Sequence, residues 1–336
     1  MSDTLKTRAP RNRTVVLDGD DRKRLAGRLM RKLPSTEKSL PQGTLLGDCL
    51  VYAASLPRAS VDLLILDPPY NLSKRFDANK FEKRPREEYT TWLSNVIRAF
   101  VPTLKPHATV YICGDWYSSA SIYEAAAEHL IVRNRITWER EKGRGSLSNW
   151  KNSSEDIWFC TLSKDYVFNV DTVKLRRKVI APYRHPNGEP KDWAAHEDGN
   201  YRDTHPSNFW GDITIPFWSM PENTDHPTQK SEKLIAKLMM ASSNAGDVVL
   251  DPFSGSGTTS VVAKKLGRRY LGIDISEEYC LLTERRLEIA EQSAGIQGLV
   301  DGVFWERNTL ALMQKEPFLG QRTAREPLPL LNQETE

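Results

Sequence analysis

The run Val61-Asp62-Leu63-Leu64-Ile65-Leu66 is apolar at every position but one and stops at Asp67-Pro68-Pro69-Tyr70. A second run, Asp247-Val248-Val249-Leu250, stops at Asp251-Pro252-Phe253-Ser254-Gly255-Ser256-Gly257. An unbroken apolar run, as opposed to an alternating one, is the mark of a strand covered on both faces, as in a parallel sheet. Proline lacks the N–H that a central strand needs, so each run must end where its string begins. Open α/β sheets bind ligands beyond the carboxyl ends of their strands. Both strings are therefore expected along one crevice.

The remaining pattern agrees with an α/β fold. Strands are expected at 44–46, 109–113, 136–138, 157–161 and 270–273, the third and fourth forming a hairpin that closes one edge of the sheet. Helices are expected near 21–33, 49–56, 89–101, 119–130, 231–241, 258–266 and 277–291; Trp92, Val96, Ile97 and Phe100 keep helical spacing in the third. From 172 to 222 periodicity fails. Pro182, Pro186, Pro190, Pro206, Pro216 and Pro221 alternate there with Tyr183, Trp193, Tyr201, Trp210 and Trp218. A stretch this long without clear elements reads as a functional insertion.

The first string suits a planar amino group. An exocyclic amino nitrogen is a weak nucleophile because its lone pair is delocalised into the ring. Two acceptors gripping its N–H bonds turn that lone pair toward an electrophile. Asp67 supplies a carboxylate and Pro68 a carbonyl, while the two prolines bring no competing donor. Tyr70 offers a ring face to an unpaired base. The second string lacks the third glycine of the dinucleotide fingerprint and the lysine of a phosphate loop. It suits a small donor without phosphates. Gly255 and Gly257 permit close backbone approach, the helix from Thr258 turns its free N–H groups to a carboxylate, and Asp251 accepts from an amino group. Asp274, at the end of the next strand, stands where an acid grips ribose hydroxyls.

With Gly47-Asp48-Cys49, Asp67-Pro68-Pro69-Tyr70-Asn71-Leu72, His226-Pro227-Thr228-Gln229-Lys230, the glycine string through Thr259, and Gly272-Ile273-Asp274 in this order, the chain resembles the β-class of DNA amino-methyltransferases from about 43 to 291. The resemblance implies a mostly parallel seven-stranded methyltransferase sheet, permuted so that the catalytic half comes first. It implies site-specific methyl transfer from S-adenosylmethionine to N6 of an adenine flipped out of duplex DNA. Asp67, Pro68, Pro69 and Tyr70 are then catalytic. Asp48 lies near the donor's adenine, Phe253 packs on the adenosyl group, and Thr228 and Lys230 border the methionine end. Asp67, Asp251, Ser254, Gly255, Gly257, Thr258 and Asp274 complete the donor site.

The resemblance also divides the chain: a basic extension at 1–42, a catalytic half at 43–171, a target-recognition insertion at 172–222, a donor-binding half at 223–292 and a C-terminal extension at 293–336, partly disordered. DNA contacts are expected from Lys142, Arg144 and Lys151, in a stretch that departs from the commoner family pattern, and from Lys174, Arg176, Arg177 and Arg184 in the insertion. Asp at the head of the first string favours adenine; Ser is commoner in cytosine-N4 enzymes, which form the alternative. Further alternatives are a catalytically inactive DNA-binding specificity protein on the same fold, or a methyltransferase acting on small molecules or proteins. Carbon-5 cytosine chemistry is set aside, because it needs a nucleophilic cysteine, typically after proline, and Cys49, Cys113, Cys160 and Cys280 all follow other residues.

A net charge of +3 says little alone, but residues 1–35 hold ten Lys or Arg against four Asp, and 172–190 hold five against Glu189. Such stretches suit a phosphate backbone. No apolar run reaches the roughly 18 residues of a membrane span, and the charged N-terminus has no signal-peptide core, so a cytoplasmic location is expected. The scattered cysteines and histidines predict no metal site. Duplex DNA is the expected partner, with a cognate restriction endonuclease and a homodimer as the associates the resemblance brings.

Overall fold

The computed structural model describes residues 9–34, 39–76, 79–140, 147–179, 183–196 and 199–306. In chain order the elements are α1 (Gly19–Ala26), β1 (Gly43–Leu46), α2 (Cys49–Ala53), β2 (Val61–Leu66), β3 (Lys74–Phe76), β4 (Asn79–Phe81), α3 (Arg86–Phe100), β5 (Leu104–Gly114), α4 (Ser119–Ala127), β6 (Ile131–Glu139) and β7 (Ser154–Thr161). The insertion adds β8 (Leu175–Lys178), β9 (Ala194–His196), β10 (Gly199–Thr204) and β11 (Phe209–Trp210). Then come α5 (Glu232–Ser242), β12 (Val248–Asp251), α6 (Thr258–Lys265), β13 (Arg269–Asp274), α7 (Glu277–Gln292), β14 (Leu299–Val300) and β15 (Val303–Trp305).

The main sheet runs β1-β13-β12-β2-β5-β7-β6-β11. The seven expected strands are all in it, and the two-residue β11 adds an eighth, parallel to β6. Strand β7 is antiparallel to both β5 and β6, which makes the expected edge hairpin; the other pairings are parallel. Strands β12 and β2 lie side by side, Val249 against Leu63 and Leu250 against Leu64, so the two strings leave the sheet at adjacent points.

Alternation explains the unbroken apolar runs. Leu63 and Ile65 enter the core on one face with α5 and α6; Leu64 and Leu66 enter the other with α3 and α4, joined by Val61 across a register shift in the pairing with β5. Burying each such side chain contributes about 1.5–3 kcal/mol. The exception, Asp62, is 3% exposed and is held by Lys105 at 2.7 Å, by the Val248 N–H at 2.9 Å and by His107 at 3.0 Å. Burial works to raise its pKa, but these donors hold the carboxyl below its usual range. It ties the start of β2 to β12.

A second sheet, β14-β15-β8-β10-β9, builds the insertion. Its strands are two to six residues long, too short for a periodic signal. The C-terminal β15 joins it, pairing parallel with β8 through Phe304–Leu175 and Trp305–Arg176. Buried Lys233 of α5 fastens this sheet to the core through Trp305, and buried Lys237 holds the segment at β11. Lys233 donates to the carbonyl of Asp212 at 2.8 Å and to that of Trp305, and Lys237 reaches Asp212 Oδ1 at 3.2 Å while lying 4.4 Å from the Trp210 ring centre.

The N-terminal arm packs on the donor-binding half. Leu25 and Leu29 bury against Cys280 and Leu281 of α7. Arg22 pairs with Glu278, Arg24 and Arg28 with Glu288, and Arg31 with Glu277. Four of the ten basic side chains that suggested a phosphate partner therefore meet carboxylates of α7 instead. No described helix is long and apolar enough to cross a membrane.

Candidate active site

Beyond the ends of β2, β12 and β13 lies a cavity of about 690 Å³, lined by Asp67–Tyr70 on one side and Asp251–Ser256 on the other. That volume is in the usual range for a small-molecule site. The two strings thus share one crevice.

On the β2 side, Lys230 Nζ donates to both oxygens of Asp67, at 2.8 and 2.6 Å, and to the Tyr70 hydroxyl at 3.0 Å. The Tyr70 hydroxyl has one proton for two acceptors, Asp67 Oδ1 at 3.1 Å and Glu155 Oε2 at 3.2 Å. Glu155 in turn pairs with Arg140 and stands 3.5 Å from Lys230. Two cations and two anions so close a neutral network in which Lys230 and Glu155 are almost fully buried. Burial, then the Asp67 charge, pushes the Tyr70 phenol well above its ordinary pKa, so it stays a donor; burial also lowers the pKa of Arg140. A carboxylate offers about four acceptor positions. Lys230 and Tyr70 use three on Asp67, which leaves one. Pro68 is buried and its carbonyl accepts no hydrogen bond among the described residues. The loop is fixed at both sides: the Tyr89 hydroxyl donates to Pro69 O at 3.1 Å, and the Asn71 N–H to Ser118 Oγ at 3.3 Å.

On the β12 side, Asp251 Oδ1 accepts from the Phe253 N–H at 3.0 Å and Oδ2 from the Thr259 hydroxyl at 2.5 Å. Burial raises its pKa to about 7. Gly255 and Gly257 have φ of +50° and +75°, which glycine adopts without steric cost. A Cβ on Gly255 would sit 2.9 Å from His226 Nε2, and one on Gly257 2.3 Å from Thr283 Cγ2. The demand for glycine comes from backbone sign and from protein neighbours. Asp274 receives the Gly255 N–H at 2.8 Å and the Ser276 N–H at 2.8 Å. Asp48 caps α2 through the Leu50 N–H at 2.9 Å. Ser254 Oγ is buried and makes no hydrogen bond among the described residues. The His226–Lys230 segment bridges the strings: Thr258 Oγ1 donates to Lys230 O at 3.1 Å, the Thr228 N–H to His226 Nδ1 at 3.3 Å, and the His226 ring stands edge-on to Tyr279 at 4.4 Å.

Most of the expected DNA contacts lie away from this cavity, and several are engaged within the protein. Arg176 forks onto Asp203 with two bonds of 2.8 Å and stacks on Trp305. Lys174 pairs with Asp171 at 2.9 Å and Arg177 with Glu306 at 3.5 Å. Arg184 donates to Gly188 O and covers the Trp193 ring. Lys151 is exposed, while Lys142 and Arg144 lie outside the described residues. Sequence reasoning missed Glu155. Its signal was present, since Glu155-Asp156 places two acids at the entry of an otherwise apolar strand.

Comparison with known proteins gives one answer. Residues 61–285 match the family described as DNA methylase. The chain is 33% identical over 251 residues to the DNA adenine methyltransferase YhdJ of Escherichia coli (strain K12), covering 73% of this chain and 82% of that one. It is 35% identical over 240 residues to the Type II methyltransferase M.HpaI of Haemophilus parainfluenzae, covering 70% of each. Among solved structures, the PvuII DNA methyltransferase (cytosine-N4-specific) superposes with a TM-score of 0.57 at 16% identity, over 76% of this chain and 90% of that one; at that identity the likeness concerns the fold alone.

Proposed function

This chain belongs to the DNA methylase family, and on that premise we propose that it transfers a methyl group from S-adenosylmethionine to N6 of an adenine turned out of duplex DNA at a specific site. The observation that carries this reading is the pair of acceptors left over at the β2 end, one position on Asp67 and the whole Pro68 carbonyl, opening on the cavity that the glycine string borders. Two unspent acceptors without an intervening donor match the two N–H bonds of an amino group. The name of the adenine-specific relative supports adenine over cytosine.

The residues present fit the donor. Ser254 offers a buried oxygen without a partner among the described residues, and Leu50 and Ile275 expose apolar surface where the cavity passes Asp48. Asp48 and Phe253 would hold the adenosine, Asp274 the ribose, and Asp251, Gly255, Gly257, Thr258, Thr228 and Lys230 the methionine end. When bound, S-adenosylmethionine supplies a methyl group made electrophilic by its sulfonium. The chain's own part is placement and charge. Asp67 and Pro68 turn the amino lone pair out of the ring plane, Tyr70 stacks on the base, and Asp67 stabilises the positive charge that grows on nitrogen. Lys230 keeps Asp67 in one rotamer while this happens.

The same reading assigns target recognition to residues 172–222 and makes duplex DNA the partner. It carries a cognate restriction endonuclease, a homodimer and a cytoplasmic location as further proposals from the family resemblance. Incubation with unmethylated DNA and donor labelled in the methyl group, followed by nucleoside analysis, tests the core of it. Labelled N6-methyl-2′-deoxyadenosine is expected, and Asp67→Ala should abolish it while leaving donor binding measurable. Labelled N4-methyl-2′-deoxycytidine would transfer the proposal to cytosine; no labelled nucleoside would overturn it.

A further inference from the structure

Arg84 lines the cavity, and among the described residues no carboxylate pairs with it. Asn71, next to Tyr70 and 2% exposed, grips Arg84 by its backbone: the Arg84 N–H donates to Asn71 Oδ1 at 2.8 Å and Asn71 Nδ2 donates to Arg84 O at 2.9 Å. This double bond pattern sets the Arg84 side chain against two rings, 5.2 Å from the centre of Phe81 and 5.6 Å from that of Trp92. The guanidinium is half-buried, lines the cavity beside Leu72, and makes no hydrogen bond or ion pair among the described residues. Arg140 and Lys230, the other two cations of the cavity wall, are paired with Glu155 and Asp67. Arginine forks match phosphate oxygens two at a time, and a cation held on aromatic faces keeps its N–H edges free for them.

The surroundings say which anion. Arg84 is held through Asn71, next to Tyr70, where the base is proposed to enter, and its support Trp92 also meets the Phe253 ring at 6.4 Å. Its neighbour Lys83 lies 4.6 Å from the Tyr117 ring centre. Tyr117 and Trp116 are 46% and 61% exposed at the end of β5, and Ser118 beside them is the residue bonded to Asn71. Cations interleaved with exposed aromatic rings are the usual surface for a nucleic-acid strand. Resting on the reading that a base enters over Tyr70, we propose that Arg84 is a positioning residue that binds the DNA phosphate flanking the flipped nucleotide, with Trp116 and Tyr117 covering the strand at the rim.

The test compares wild type, Arg84→Gln and Arg84→Lys for binding to unmethylated plasmid fragments between 50 and 200 mM salt, and for binding of S-adenosylhomocysteine by calorimetry. Loss of one phosphate contact makes the log–log salt slope shallower by about 0.9, so the gap between Arg84→Gln and wild type should narrow about threefold across that range. Arg84→Lys keeps the charge and should keep the slope, and both variants should bind S-adenosylhomocysteine as wild type does. An unchanged slope in Arg84→Gln, a reduced slope in a folded Arg84→Lys, or weakened S-adenosylhomocysteine binding would each overturn the assignment, the last by moving Arg84 to the donor. Wild type that binds DNA but methylates none would end the reading of the preceding subsection while leaving the slope comparison intact.

Discussion

Removing the Lys230 ammonium leaves two carboxylates, Asp67 and Glu155, facing one another across a single hydroxyl. Lys230→Met keeps the aliphatic stem and deletes only the charge. Lys230 is 7% exposed at its side chain and Asp67 21%. Breaking a fully buried pair costs about 3–5 kcal/mol; the partial exposure of Asp67 reduces this to about 2–3 kcal/mol. Asp67→Asn should cost less, about 1 kcal/mol, because Lys230 retains Tyr70 at 3.0 Å and Glu155 at 3.5 Å. Once Asp67 is neutral, most of what Lys230 compensates is gone. The double variant should therefore be nearly as stable as Asp67→Asn alone, an interaction energy of about 2 kcal/mol in a cycle of urea unfolding curves. Losses that add to within about 0.5 kcal/mol would show that the two side chains are not coupled, and the account of how Asp67 is held would fall.

Other expectations follow from the buried acids and glycines. Burial beside Glu232 raises the Glu222 pKa to about 7, with Arg286 and Lys265 opposing the rise. A carboxyl whose folded pKa is raised contributes stability below its unfolded pKa and loses it as pH climbs through the folded one. Stability should thus fall between about pH 4.5 and 7, and Glu222→Gln should flatten that fall in urea titrations; a parallel curve would refute the assignment. Asp251, also raised to about 7, should ionise against the donor's ammonium group. Donor binding near pH 6.5 should release protons, seen as a dependence of calorimetric heat on buffer, and Asp251→Asn should remove the dependence. Gly257→Ala should lose about 1–3 kcal/mol from its left-handed backbone alone, and adding Thr283→Ala should recover only the part due to contact. Full recovery would mean that φ at Gly257 costs nothing.

Long central strands and the two strings were legible because burial on both faces writes an unbroken apolar run. Val61–Leu66 and Val248–Asp251 needed only that rule, and Pro68 and Pro252 marked where each strand stops. The family resemblance then ordered the pieces. Charge was less legible. Arg22, Arg24, Arg28 and Arg31 read as a basic tail because Glu277, Glu278 and Glu288 lie some 250 residues away, and no local pattern announces a pairing at that distance. The same holds for Arg176 and Asp203. Lys230 was legible as a member of the site but not as the partner of Asp67, since a one-dimensional motif does not say which oxygen a flexible ammonium will choose. Asn71 and Arg84 went unweighed for the same reason: their importance lies in two short hydrogen bonds across a loop of thirteen positions.

Strand β15 pairs with β8 over a sequence separation of about 130 residues, a contact that cannot nucleate early. On the ribosome, everything from β1 to α7 can condense while Phe304 and Trp305 are still inside the exit tunnel. The insertion then waits with one edge open and with the carbonyl that Lys233 needs still missing. A nascent chain would therefore enclose the cavity beyond β2 and β12 before its second sheet is complete, and β15 is the strand that completes that sheet.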